Sequence, residues 1–191
     1  MHLPKKTLAA ILIGTTIIAG CSNEEHKTVP MKQYTDSIYH VINADRANYT
    51  KIIIKRLGQE GEKAIKPSEQ WRDHANGAPL PAQMFRLGAE EVSKATSLFS
   101  YSLQSLWPIN SQNSPKTELE EKGLTFIEEN PGSNFYGEEK LGDSTYFTAI
   151  YPDIAVAKPC IACHNNHSDS PRSDFKIGEV MGGVVIRVPT N

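Results

Sequence analysis

Across residues 31–57 the apolar positions Ile38, Val41, Ile42, Tyr49, Ile53 and Leu57 recur mostly three and four apart, with Lys, Arg, Asp and Asn between them. Residues at that spacing share one face of a helix, so the segment predicts an amphipathic helix. Gly58 is its expected stop. Residues 59–80 carry Gly61, Pro67, Gly77 and Pro79 and leave room for at most a short helix around 67–75. A second helix is predicted from Pro81, a residue tolerated in a first turn, through Met84, Phe85, Val92 and Ala95. The period then falls to two. Within residues 98–106, Phe99, Tyr101 and Leu103 alternate with Ser100, Ser102 and Gln104, the pattern of a half-buried strand. A polar loop (110–115) precedes a predicted helix (116–130) carrying Leu119, Phe126 and Ile127, which Pro131-Gly132 ends. Its Glu118, Glu120, Glu121, Glu128 and Glu129 read as a solvated face. Residues 134–140 and 144–151, joined by Leu141-Gly142-Asp143, predict an antiparallel hairpin, and 182–188 a last strand. Strands joined by a hairpin or a single helix imply an α+β domain with an antiparallel sheet, flanking helices and an N-terminal amphipathic helix. Phe99, Tyr101, Trp107, Tyr146, Phe147 and Tyr151 are assigned mainly to the sheet core.

The first residues follow a different rule. Lys5 and Lys6 precede an apolar run over 8–19 and then Gly20-Cys21, the basic, apolar and small-residue order of a secretory signal. The run is shorter than the roughly 20 residues a spanning helix needs. Ile18-Ala19-Gly20-Cys21 looks like a bacterial lipobox, in which the cysteine is lipidated and becomes the first mature residue. Ser22 stands where an Asp would favour inner-membrane retention, so the outer membrane is favoured. The expected division is a signal peptide over 1–20, a lipidated tether over 21–34 and a folded domain over 35–191.

Composition enters here only to exclude. The 191 residues hold 20 Lys+Arg and 22 Asp+Glu, with a pI near 6.3. Loss of Lys5 and Lys6 with the signal leaves 18 basic against 22 acidic residues, a balance of −4. No clustered basic excess is present to neutralise a nucleic-acid backbone.

Three cysteines are too few for a disulfide framework, and one is explained by the lipobox. The others stand in Cys160-Ile161-Ala162-Cys163-His164, the pattern of c-type haem attachment. Two thiols separated by two residues can form thioethers with the two vinyl groups of one porphyrin, and the next imidazole can ligate the iron. Cys160 and Cys163 are thus expected to anchor one covalent haem c, with His164 as proximal ligand. Secretion fits, because such haem is attached on the exported side of the membrane. Two alternatives stand beside this reading. Cys160, Cys163, His164 and His167 could ligate zinc, although four ligands within eight residues make a poor tetrahedral cage. The cysteines could also form a thioredoxin-like pair or a plain disulfide, but a thioredoxin-like pair belongs in a βαβ setting.

Residues 151–188 carry Cys160-Ile161-Ala162-Cys163-His164-Asn165, His167, Asp169-Ser170-Pro171, Asp174 and Lys176-Ile177-Gly178-Glu179-Val180, followed by Gly182 and Gly183. This stretch resembles the end of the Tll0287-like domain, also called DUF3365. Pro79-Leu80-Pro81-Ala82 and Leu106-Trp107-Pro108-Ile109-Asn110 are weaker landmarks, and the resemblance covers roughly residues 35–190. It implies a PAS-like fold and a sensory or redox haem protein.

With Cys21, Cys160 and Cys163 all assigned, no thiolate remains for the sixth iron position. His74 is the favoured distal ligand, ahead of Met84 and His40, with an open or water-filled site as the other choice. His26 and Met31 lie in or beside the tether, and Met181 completes the thioethers. His167 reads as a loop histidine or a propionate partner. Arg172 and Lys176 are candidate propionate partners because carboxylates accept well from guanidinium and ammonium groups; surface charge is the alternative. One or two of the aromatics are expected to touch the macrocycle.

The expected function is a membrane-anchored, periplasm-facing haem protein that senses redox state or a diatomic gas. It would pass its signal to a separate partner, since no output module follows Asn191. The alternative is a single-haem electron-transfer protein with a redox partner. An enzyme is not expected, because no distal His/Arg arrangement, Ser/His/Asp triad, phosphate loop or paired carboxylates stand out.

Overall fold

A computed structural model describes residues 28–60 and 64–191. The signal, the lipobox with Cys21, and His26 lie outside the described residues. The first helix, α1 (Met31–Asn48), passes without a break into a wider, π-helical stretch, Tyr49–Glu60. Gly58 therefore does not end the helix. It sits where Pro67 packs, and a Cβ there would lie 2.5 Å from the proline Cγ. The glycine provides a close approach between the helix and Pro67.

Residues 64–80 form a small substructure in place of the short helix expected there. Strands β1 (Lys66–Pro67) and β2 (Gly77–Ala78) pair in parallel around one 3₁₀ turn, Trp71–Asp73. The Tyr49 hydroxyl donates to the Pro79 carbonyl at 2.7 Å and ties this segment to the π-helical stretch. Helix α2 (Pro81–Ala95) begins at the predicted proline, and the Gln83 side chain caps it by accepting from the Leu80 N–H at 2.9 Å.

The main sheet contains β3 (Ser100–Gln104), β4 (Phe135–Leu141), β5 (Ser144–Ile154) and β6 (Val180–Pro189), in the order β3-β6-β5-β4, with every neighbour antiparallel. The β4–β5 hairpin closes through Gly142, whose φ of +62° lies in the left-handed region open to glycine. Helix α3 (Glu118–Glu129) connects β3 to β4.

Alternation along β5 and β6 assigns their side chains to two cores. Ala149, Tyr151, Val184 and Ile186 face α1 and α2, with Phe85, Ile38 and Ile42 packed among them. Ile150 and Val185 face α3, against Leu124 and Ile127. These strands are covered on both faces, so residues 180–186 of β6 read as a continuous apolar run. Each fully buried Val, Leu or Ile contributes about 1.5–3 kcal/mol, which places most of the apolar stabilisation around this pair.

Glu120 corrects the expectation of a solvated glutamate face. It is fully buried. Its carboxylate accepts from the Gln104 amide at 2.6 Å and from the backbone N–H groups of Lys116 and Thr117 at 2.5 and 3.2 Å, while Arg187 Nη2 lies 2.7 Å away. Thr117 and Glu120 form a capping box, in which a side chain at each end satisfies the other's backbone donor. No helix among the described residues is long and apolar enough to cross a membrane.

Candidate functional site

At its end β5 shifts register between Asp153 and Ile154, and the chain leaves the sheet. Ala155 N–H then donates to the Glu179 carbonyl and Gly178 N–H to the Ala155 carbonyl, both at 2.9 Å, which closes a loop at its base. Inside the loop lies α4 (Lys158–Asn166), nine residues with proline in the first turn. The pattern had not assigned a helix here. It is held by a third apolar cluster, Ala155, Phe175 and Met181, against which Trp107, Cys160 and Ile161 pack. Asn165 secures the return segment by donating to the Phe175 carbonyl at 2.9 Å and accepting from its N–H at 3.0 Å.

Residues 160, 163 and 164 stand at i, i+3 and i+4 of this helix and therefore share one face. Both thiols are free, Cys160 half-buried and Cys163 exposed. The His164 ring meets Phe175 edge-on, with centroids 5.9 Å apart and planes at 89°. Its Nδ1 is buried without a hydrogen-bond partner. Burial pushes the His164 pKa below its ordinary value; Asp153 acts against the shift, and His167 and Arg46 act with it. The imidazole is thereby favoured in its neutral, metal-binding form. The Cys163 thiol is pushed up, chiefly by burial and then by Glu69 and Cys160.

Such a site presents two unpaired thiols and one neutral imidazole on a single rigid face. A thioredoxin-like reading fits it less well, because the strands on either side of α4 are antiparallel rather than parallel members of a βαβ unit. Zinc fits less well too, since no three His, Cys, Asp or Glu side chains among the described residues converge to hold a metal ion. The groove along α3, lined by residues such as Glu121, Phe126 and Phe135, does not include Cys160, Cys163 or His164.

The family model for Tll0287-like proteins, described as Tll0287, matches residues 24–189. The chain belongs to the Tll0287-like family. Among solved structures it is similar to the crystal structure of the cyanobacterial heme-protein Tll0287, with a TM-score of 0.54 and 15% identity over 86% of this chain and 98% of that one. At that identity the likeness speaks for the fold. No curated protein sequence matches.

The other expected ligands are scattered over this Tll0287-like fold. His74 follows the 3₁₀ turn and is half-buried, its carbonyl accepting from Gly77 N–H at 3.0 Å. Met84 is 45% exposed on α2, and His40 is exposed on α1 beside Tyr39. Met181 is buried beneath α4. His167 caps the C-terminus of α4, with Nε2 3.1 Å from a Glu69 oxygen and Nδ1 accepting from Asp169 N–H at 3.1 Å. This contact brings the β1–β2 segment against α4.

Arg172 is already engaged. It pairs with Asp174 at 2.7 Å and Glu179 at 3.0 Å, and its guanidinium lies over the rings of Trp107 and Phe175 at 4.7 and 4.3 Å. It braces the ring that His164 packs against. Lys176 is exposed, with its N–H donating to Glu179 at 3.2 Å.

The hydrophobic pattern does not single out Arg46, a charged residue near the end of α1. Its guanidinium grips Asp153 with two bonds, of 2.5 and 2.9 Å, with the two side chains only 19% and 18% exposed. Its Nε is buried without a partner. The sequence did carry a signal: Ile38, Ile42 and Arg46 fall four apart, so the arginine continues the apolar stripe of α1.

Proposed function

We propose that this chain is a haem protein carrying one haem c, bound through thioethers at Cys160 and Cys163, with His164 as the proximal iron ligand. The observation that carries this reading is the helical face of α4, where both thiols are free and the adjacent imidazole has a buried, unpartnered Nδ1. Family membership and the haem protein among its structural neighbours support it. The haem supplies reversible one-electron chemistry and an iron position for a small ligand. The chain's own residues do the rest. Phe175 packs edge-on against the histidine, Trp107 backs Phe175, Arg172 stacks on both of these aromatic rings, and Asn165 fixes the loop that carries Phe175.

The biological reading is a redox or diatomic-gas sensor acting through a separate partner, anchored through Cys21 to the envelope with its domain facing the periplasm, the outer membrane being favoured. Single-haem electron transfer is the alternative, and the sixth ligand separates the two. His74 remains the proposed occupant, because it lies in the same small substructure as Glu69, which reaches α4 through His167.

Expression in a bacterium equipped for c-type haem attachment provides the test. The wild-type band is expected to keep haem on a denaturing gel and Cys160→Ala/Cys163→Ala to lose it; retention by the double variant overturns the reading. The oxidised protein is expected to be six-coordinate and low-spin. A high-spin spectrum with ready CO binding after reduction would remove His74 and favour the gas-sensing form.

A further inference from the structure

We infer that the partly buried Arg46–Asp153 pair sets the reduction potential of the group held by α4, with its two charges acting in opposite senses. The inference rests on the haem reading of Cys160, Cys163 and His164.

Asp153 is the last β5 residue before the register shift, directly across from Gly182 and two residues before Ala155, which packs in the cluster that supports Cys160. A bulge at such a point re-aims a side chain away from the ladder. Arg46 comes from α1, on the sheet face shared by Tyr151 and Phe85, and its guanidinium lies 5.8 Å from the Phe85 ring centre. The two-bond grip fixes its orientation, so the pair forms a rigid dipole. The pair therefore stands at the base of the loop that carries α4, where Ala155 exchanges backbone bonds with Glu179 and Gly178.

Adding one electron removes a positive charge from the iron. A nearby carboxylate favours the oxidised state and a nearby guanidinium the reduced one, and both act strongly where water is displaced. A purely structural pair would behave differently, since its loss from either side would loosen the site in the same direction. Opposite shifts therefore identify an electrostatic role. Both residues are positioning groups, as neither is placed against the iron.

The experiment is a spectroscopic redox titration of wild type, Asp153→Asn, Arg46→Gln, Arg46→Lys and the Arg46→Gln/Asp153→Asn double variant, all at one pH. Asp153→Asn is expected to raise the midpoint and Arg46→Gln to lower it. Each should change the reduction equilibrium about tenfold, or about 59 mV for one electron. The double variant should return close to wild type, and Arg46→Lys should stay there. Shifts in the same direction, no shift in either single variant, or an Arg46→Lys shift as large as that of Arg46→Gln would overturn the inference while covalent haem is still present. Loss of covalent haem from wild type would instead remove the haem reading, and this inference with it.

Discussion

The β5–β6 pair carries two guanidinium–carboxylate systems, five residues apart along the ladder and on opposite faces. Arg187, opposite Thr148, faces α3 and meets Glu120 and Glu139; Asp153, opposite Gly182, faces α1 and meets Arg46. The first is embedded in a wider network. Glu120 also satisfies two backbone donors and the Gln104 amide, and Glu139 accepts from Thr148 at 2.9 Å. The second has one partner on each side. A buried pair with many dependants is a structural joint, because removing it leaves several polar groups stranded. A buried pair with few dependants contributes little to folding, since the desolvation of its charges offsets their attraction. Its position beside α4 is then better explained by the field it produces.

Glu120→Ala tests the first half of that contrast and should give the largest effect. It leaves Arg187 with Glu139 alone and strands the Lys116 and Thr117 N–H groups at the start of α3. A loss of about 3–5 kcal/mol is expected, the usual cost of removing one partner from a buried pair, measured by urea unfolding. A loss below about 1 kcal/mol would show that the network is not a joint.

The same contrast explains what the sequence made legible. The sheet strands, α2 and α3 follow directly from periods of two and three to four, because packing against two helical layers enforces those periods. Glu120 was hidden by its neighbours: in a run of glutamates, only the Thr-x-x-Glu spacing of a capping box separates the buried one from the solvated ones. Helix α4 was hidden by its composition, since a proline opens it, two asparagines close it, and no residue in it is fully buried. It is held from outside, by Phe175 and Met181, which are 11 or more residues downstream of His164. The chemistry was legible where the helix was not, because thiol spacing is a local property. Arg46 lay in plain view on the apolar stripe, but only its pairing with Asp153, 107 residues away, makes that position tolerable.

Glu139 provides a pH-dependent version of the first test, with a smaller effect. Burial raises the carboxyl pKa, but bonds from Thr117, Arg187 and Thr148 outweigh it and hold the group below its ordinary value. A carboxyl depressed in the folded state stabilises the fold above its unfolded pKa, and that contribution disappears as pH falls through the folded pKa. Wild-type unfolding free energy should therefore fall as pH drops below about 4.5. Glu139→Gln should be less stable than wild type at neutral pH but lose less on acidification. Parallel curves for the two proteins would remove Glu139 from the network.

The smallest effect is expected at the other pair, and it is the most discriminating. Arg46→Met/Asp153→Leu replaces both charges with apolar side chains on a face already lined by Phe85, Ile42 and Tyr151. Exchanging a buried pair for well-packed apolar groups is often neutral or stabilising, by about 1–4 kcal/mol. Stability should therefore hold or rise, in contrast to the loss at Glu120. If the double variant instead unfolds about 3 kcal/mol more easily, the two systems are alike and the pair beside α4 is a second joint. If stability holds while the reduction potentials of the single variants separate in opposite directions, the two pairs divide the work. One secures α3 to the sheet, and the other retains two costly charges next to Cys160 and His164 for their electrostatic effect on that site.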